Sequence, residues 1–247
     1  MFRTSNPALK EETFRGLPRE RGANAMTLQG TVNKTGLSLL ILIACASFTW
    51  NQALSGQPVG HFALGGVVGG LVVALVTIFK KEWAPVTTPL YAALEGLFLG
   101  AVSAMYEAEF PGLPMNAVGL TFGCLAVLLA AYSSGLIHPS ENFKLGIVAA
   151  TGAVALVYVL SMALGFFGVA IPGIFGSGPI GILFSLFVVG LAALNLVLDF
   201  DFIENGARAQ APKYMEWYAA FGLLVTLIWL YLEILRLLAK LQGRGRR

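Results

Sequence analysis

Three carboxylates stand inside long apolar runs of this chain: Glu95, Asp199 and Glu233. A charged acid at the centre of a bilayer costs roughly 3 kcal/mol on insertion scales, so such residues persist where they pair, titrate or attract a cation. Asp199 lies in Leu194-Asn195-Leu196-Val197-Leu198-Asp199-Phe200-Asp201-Phe202-Ile203-Glu204. Asn195 comes one helical turn earlier and shares its face. Asp201 points about 200° away from Asp199 around a helix, and with Glu204 it marks the helix end. Glu233 lies in Leu227-Ile228-Trp229-Leu230-Tyr231-Leu232-Glu233-Ile234-Leu235-Arg236. Its spacing from Arg236 allows an intrahelical ion pair, and Tyr231 and Trp229 read as interfacial anchors. Glu95, in Leu94-Glu95-Gly96-Leu97-Phe98-Leu99-Gly100, has no cation within a turn. It must pair across helices, face water or be held neutral. Two carboxyls brought together in a low dielectric titrate as a coupled pair. They share a proton, or once ionised they repel each other and draw a cation.

The elements that must position these acids follow from composition. Hydrophobic residues make up 57% of the chain and charged residues 12%, with a mean hydropathy of +0.76. A soluble domain carries about 25% charged residues, so the chain reads as a polytopic membrane protein embedded in a lipid bilayer. Apolar segments fall at about Gly36–Leu54, His61–Phe79, Thr87–Tyr106, Met115–Leu136, Leu145–Val169, Pro179–Phe202 and Glu216–Leu238. Each is near the roughly 20 residues a spanning helix needs. With no water in the hydrocarbon, backbone groups must be satisfied within each segment, which excludes open strands; the runs also lack the alternation of a membrane barrel. The fold class is therefore all-α with seven transmembrane helices. Residues 1–34 read as a polar tail, 35–240 as the transmembrane domain and 241–247 as a basic C-terminal tail.

Charge patterning adds orientation. The tail to Lys34 is basic, and Lys80, Lys81, Lys144, Arg208 and Lys213 fall in the even connections. The odd connections carry no Lys or Arg, and the third holds Glu107 and Glu109. The positive-inside rule then puts the N-terminus and even loops in the cytoplasm. Seven crossings leave the C-terminus outside, in conflict with Lys240, Arg244, Arg246 and Arg247. The net charge of +3 is scattered over tails and loops and offers no stripe for nucleic acid. Cys45 and Cys124 lie in apolar segments and imply no disulfide framework. No His-Glu-x-x-His, Gly-x-Ser-x-Gly, P-loop, dinucleotide fingerprint or Cys/His zinc cluster is present. The expectation is a protein that is not an enzyme and needs no cofactor. Small-residue pairs Gly65/Gly69, Gly66/Gly70 and Gly96/Gly100 with Ala104 give close-approach faces, for packing within one bundle or for a homodimer.

At Leu198-Asp199-Phe200-Asp201-Phe202-Ile203-Glu204 the chain resembles the sixth-helix motif of the Bax inhibitor family, an aspartate followed four residues later by an aliphatic residue. Leu230-Tyr231-Leu232-Glu233-Ile234-Leu235-Arg236 resembles its seventh-helix motif, with Glu where Asp is usual. The resemblance spans nearly everything after the N-terminal tail and points to a bacterial branch in the inner membrane. It implies six helices around a central seventh. It also implies a pH-sensitive calcium leak in which two facing acids, here Asp199 and Glu233, act as sensor and as a weak, transient calcium site. Asp201, Asn195, Arg236 and Tyr231 would support that site, and Glu95 would lie on the pathway. The two acids can meet only if the residues around Tyr214–Gly222 lie along the interface, or if helix six runs well past Asp201. Two other readings stay open: a monomeric or dimeric regulator of a membrane protease or other membrane protein in stress responses, and a proton-coupled carrier of a small solute.

Overall fold

The structure is a computed structural model, described for residues 22–168 and 173–245. Seven helices occupy the apolar segments: α1 (Leu28–Leu54), α2 (Gly60–Phe79), α3 (Ala84–Glu109), α4 (Leu113–Ser133), α5 (Glu141–Phe166), α6 (Pro179–Arg208) and α7 (Met215–Gly245). All seven are long and apolar enough to cross a bilayer, and no strand occurs among the described residues. Leu40, Leu64, Val86, Val127, Phe166 and Leu183 are among many large apolar side chains left exposed. In water each would cost roughly 25 cal/mol per Å²; facing lipid they cost nothing.

The helix ends differ from the sequence expectation where polar residues begin. α1 starts at Leu28, eight residues before Gly36, so Leu28–Lys34 is helix and not tail. Thr27 caps it by accepting from the Gly30 amide, and Gln29 donates to Asn33 at 2.9 Å. α6 continues past Phe202 to Arg208, closed by a Glu204–Arg208 pair at 2.5 Å. α7 runs on to Gly245 through most of the expected basic tail. An apolar window cannot register helical turns made of polar residues. The expected tail over residues 1–21 and the last two residues lie outside the described residues.

Several hydroxyls inside the apolar spans are satisfied on their own helices, whereas Thr88 donates across to the Trp217 carbonyl at 3.1 Å and, among the described residues, the Thr35, Ser38 and Ser161 hydroxyls are buried without a partner. Thr49, Thr77, Thr87, Ser103 and Thr121 each donate to the carbonyl four residues earlier. This return bond removes the cost of a bare hydroxyl in hydrocarbon.

The chain divides into two compact units. One contains α1–α3 with Asp201–Val225; the other contains Gly112–Phe200 with α7 from Thr226. In the α1–α3 unit, glycines set the helix spacing. A Cβ on Gly96 would lie 2.8 Å from Cys45 Cβ and strike the Leu42 carbonyl, and one on Gly100 would strike the Ala46 carbonyl. Gly66 meets the Leu94 carbonyl of α3 in the same way, at 2.6 Å. These small-residue faces therefore pack helices within one chain, while Gly65 faces open space. Cys45 and Cys124 are both free thiols.

In the other unit, Ile147, Val154, Val188, Leu191 and Leu198 form a buried cluster, packed by Phe143, Ala150, Tyr158, Phe184 and Trp229. Trp229 is thus half-buried, with part of its ring packed on this cluster. α7 is the most buried span, at 67% against 11% for α5.

Gly100→Ala should lower the stability of the detergent-solubilised protein by about 1–3 kcal/mol, the range for overpacking a tight contact. Gly65→Ala should leave it unchanged or raise it slightly. Thermal unfolding of the two variants side by side checks this.

Candidate functional site

Asp199 sits on α6 and is fully buried. One turn earlier, buried Asn195 turns its amide across to α5, donating to Thr151 Oγ1 at 3.0 Å and to the Leu191 carbonyl at 2.8 Å. The spacing read from sequence thus does put an acid and an amide on one buried face.

Glu233 on α7 is 1% exposed. Its Oε1 accepts from Tyr158 Oη of α5 at 2.8 Å and from Arg236 Nη1 at 2.7 Å. Arg236 also donates to Tyr158 Oη at 2.9 Å and lies 5.4 Å from that ring's centre. The intrahelical ion pair with Arg236 is present, and Tyr158 completes a closed triangle that sequence spacing could not show. Oε2 of Glu233 is buried with no hydrogen-bond donor among the described residues. A half-satisfied carboxylate in this setting is costly. Tyr231, two residues earlier, is buried as well.

The two acids occupy the same unit at different depths. α6 does run well past Asp201, as one of the two conditions for their meeting required. The register is fixed by Lys240 of α7, which bonds Gly181 and Ser185 near the start of α6. α6 and α7 run antiparallel, and Glu233 lies seven residues from Lys240, Asp199 at least fourteen from Ser185 or Gly181. At 1.5 Å per residue the two acids are therefore offset by about 10 Å or more along the helices. One proton shared directly between them asks for a closer approach.

Glu95 and Asp201 fall in the α1–α3 unit. Glu95 is half-buried on α3, hydrogen-bonded to Tyr91 one turn away. Its Oε1 lies 2.5 Å from where a Gly70 Cβ would stand, so Gly70 opens the space for it on α2. Tyr91 in turn packs edge-on against Phe221 at 4.9 Å. Of the three outcomes open to Glu95, none includes this bond to a tyrosine on its own helix, one turn earlier. Asp201 is half-buried, and its carbonyl accepts from Asn205 at 2.8 Å.

The residue that sequence reading missed is Glu216, in the first turn of α7. Its side chain is fully buried. It accepts from the Thr27 amide and hydroxyl at 2.8 Å each, and pairs with Lys213 at 2.9 Å and with Lys34. Gly30 is where α1 must lack a side chain, because a Cβ there would overlap the Glu216 carboxylate. The neighbouring backbone joins in: the Met26 amide donates to the Ala211 carbonyl at 2.7 Å. Just before α7, burial beside Glu82 pushes the Tyr214 phenol above its usual range. An acid in a helix's first turn reads as an ordinary dipole partner; contacts reaching back to Thr27 leave no local signal. No group of three or more metal-binding side chains occurs among the described residues.

Fold and buried acids together define a multi-pass membrane protein. A family model described as Bax inhibitor 1 like matches residues 6–243. The chain belongs to that family. No curated protein and no solved structure matches the chain.

Removing a buried ion partner leaves its counterpart stranded and costs about 3–5 kcal/mol. Glu216→Ala should approach that loss, while Lys213→Ala, at a half-exposed position, should cost about 1 kcal/mol or less. Unfolding midpoints of both variants in one detergent test the ranking.

Proposed function

We propose that the protein is a pH-sensitive cation leak in a bacterial inner membrane, with calcium as the transported ion and with the buried acids of α6 and α7 as its sensor. The observation that carries this reading is Glu233: a carboxylate buried on α7, held on one oxygen and left without a donor on the other among the described residues. Fully buried Asp199, with Asn195 beside it, supplies a second acid on α6. Family membership supports the same reading.

The offset between the acids changes how the sensor works. The two acids act at different depths, and a cation passes Asp199 and the Glu233–Arg236 pair in turn instead of resting on one pair of carboxylates. Calcium takes about 6–8 oxygens, so carbonyls and waters must supply most of its shell. That favours passage over storage. In the closed state Glu233 is ion-paired to Arg236 and Asp199 is protonated. Ionisation of Asp199 as pH rises adds negative charge along the path and favours cation entry.

Orientation belongs to the same proposal: N-terminus and even loops in the cytoplasm. The conflict at the C-terminus is smaller than the charge count suggested. Lys240 is buried in the protein and does not act as a loop charge, which leaves Arg244, Arg246 and Arg247.

Calcium flux into proteoliposomes, measured from about pH 5.5 to about pH 8, tests the sensor. Asp199→Asn mimics the protonated acid, and Glu233→Gln leaves the Arg236 charge unopposed beside the path. Each should hold flux at its acid-side level, roughly tenfold below wild type at the alkaline end, equivalent to about 1.4 kcal/mol. An unchanged pH profile in both variants would falsify the sensor. Flux no greater than that of empty liposomes would remove the leak itself.

A further inference from the structure

A cation buried in a membrane fold needs either an anion or a cage of dipoles. Lys240 has the cage. The residue is 6% exposed, and its ammonium donates to the carbonyls of Ile174 and Gly181 at 3.0 Å each and to Ser185 Oγ at 2.8 Å. Three donors meet three neutral oxygens, and no carboxylate is among them. Arg236 and Glu233, one and two turns away along α7, are already committed to each other.

The cage is built by close backbone approach. Gly173 takes a left-handed turn at φ +89°. Its carbonyl would lie 2.8 Å from a Cβ on Gly181, and the Gly176 carbonyl would collide with that Cβ. Ser177 Oγ would stand 3.6 Å from a Cβ on Gly243. The end of the α5–α6 connection is thus pressed onto both helices, and its Ile174 carbonyl joins the Gly181 carbonyl and Ser185 hydroxyl of α6 around the Lys240 ammonium. A set of neutral carbonyl and hydroxyl oxygens suits a partly dehydrated monovalent cation; a divalent ion wants carboxylates as well.

We propose that the Ile174–Gly181–Ser185 oxygen cage is a binding site for a monovalent cation of ammonium or potassium size, and that Lys240 is its tethered occupant, blocking the α5–α6 loop end of the cation route. The cage stands on its own geometry; the blocking role rests on the leak reading above.

The test separates the two. Lys240→Ala, purified in detergent, is melted in equal concentrations of ammonium, potassium or tetramethylammonium chloride. Its midpoint should fall several degrees in tetramethylammonium and recover substantially in ammonium, while wild type is indifferent to the salt. Equal midpoints in all three salts would overturn the cage. Should the variant fold poorly, its yield of monodisperse protein in ammonium against tetramethylammonium gives the same readout. For the blocking role, Lys240→Met in proteoliposomes should pass cations several-fold faster than wild type at one pH. Flux equal to wild type, including none in either, would remove that role whatever the salts show. If ammonium rescues the alanine variant but no protein conducts, the cage survives and the leak reading fails.

Discussion

Everything polar inside these helices must find its partner within the protein, because the surrounding hydrocarbon offers none. The fold meets most of this demand at three costs, and among the described residues it leaves the Thr35, Ser38 and Ser161 hydroxyls and Glu233 Oε2 without a hydrogen bond. Hydroxyls close onto their own helix four residues back, which asks nothing of the neighbours. Backbone-to-backbone approach asks for glycine, as at Gly96 and Gly100 against α1. Charged groups ask for a partner of fixed geometry, and they are where the chain commits distant residues to each other: Thr27 and Lys34 to Glu216, Tyr158 to Glu233, Ile174 and Ser185 to Lys240.

This hierarchy explains what was legible in the sequence. The spans are visible because each is set by a local quantity, the apolar length needed to cross the bilayer. The buried faces on α6 are visible because Asn195 and Asp199 are one turn apart. The Glu233–Arg236 pair is visible for the same reason. Tyr158, Thr151 and the Glu216 node are not: they join residues 44 to 189 positions apart, and helix periodicity carries no information about which helix lies opposite. The early start of α1 was hidden differently. Its first turns are polar, so hydropathy assigns them to the tail, while the Thr27 cap and the Glu216 carboxylate hold them helical.

Register is the other quantity the sequence leaves open. A motif on each of two helices says that both faces carry an acid, not that the acids are level. Here the length of α6 beyond Asp199 and the anchoring of Lys240 near the start of α6 together set the sliding position of α7. Shifting an antiparallel pair by one turn moves opposed side chains by about 5 Å, enough to turn a shared proton into two separate titrations. Asp199 and Glu233 are offset by more than that. A glutamate in place of the usual aspartate adds only one methylene of reach and does not close such a gap.

The stripe Glu233, Arg236 and Lys240 on α7 shows how one helix can carry three ionisable groups through a span. Glu233 and Arg236 neutralise each other one turn apart, with Tyr158 sharing the bond. That leaves the Lys240 charge to be balanced, and the structure balances it with dipoles where an acid would serve electrostatically. A carboxylate at Ser185 would bind the ammonium more tightly and would also retain any divalent ion that reached it. Neutral oxygens hold the ammonium in place yet let it go at lower cost. In a protein whose proposed task is to pass cations without trapping them, that difference in hold is the property the site requires.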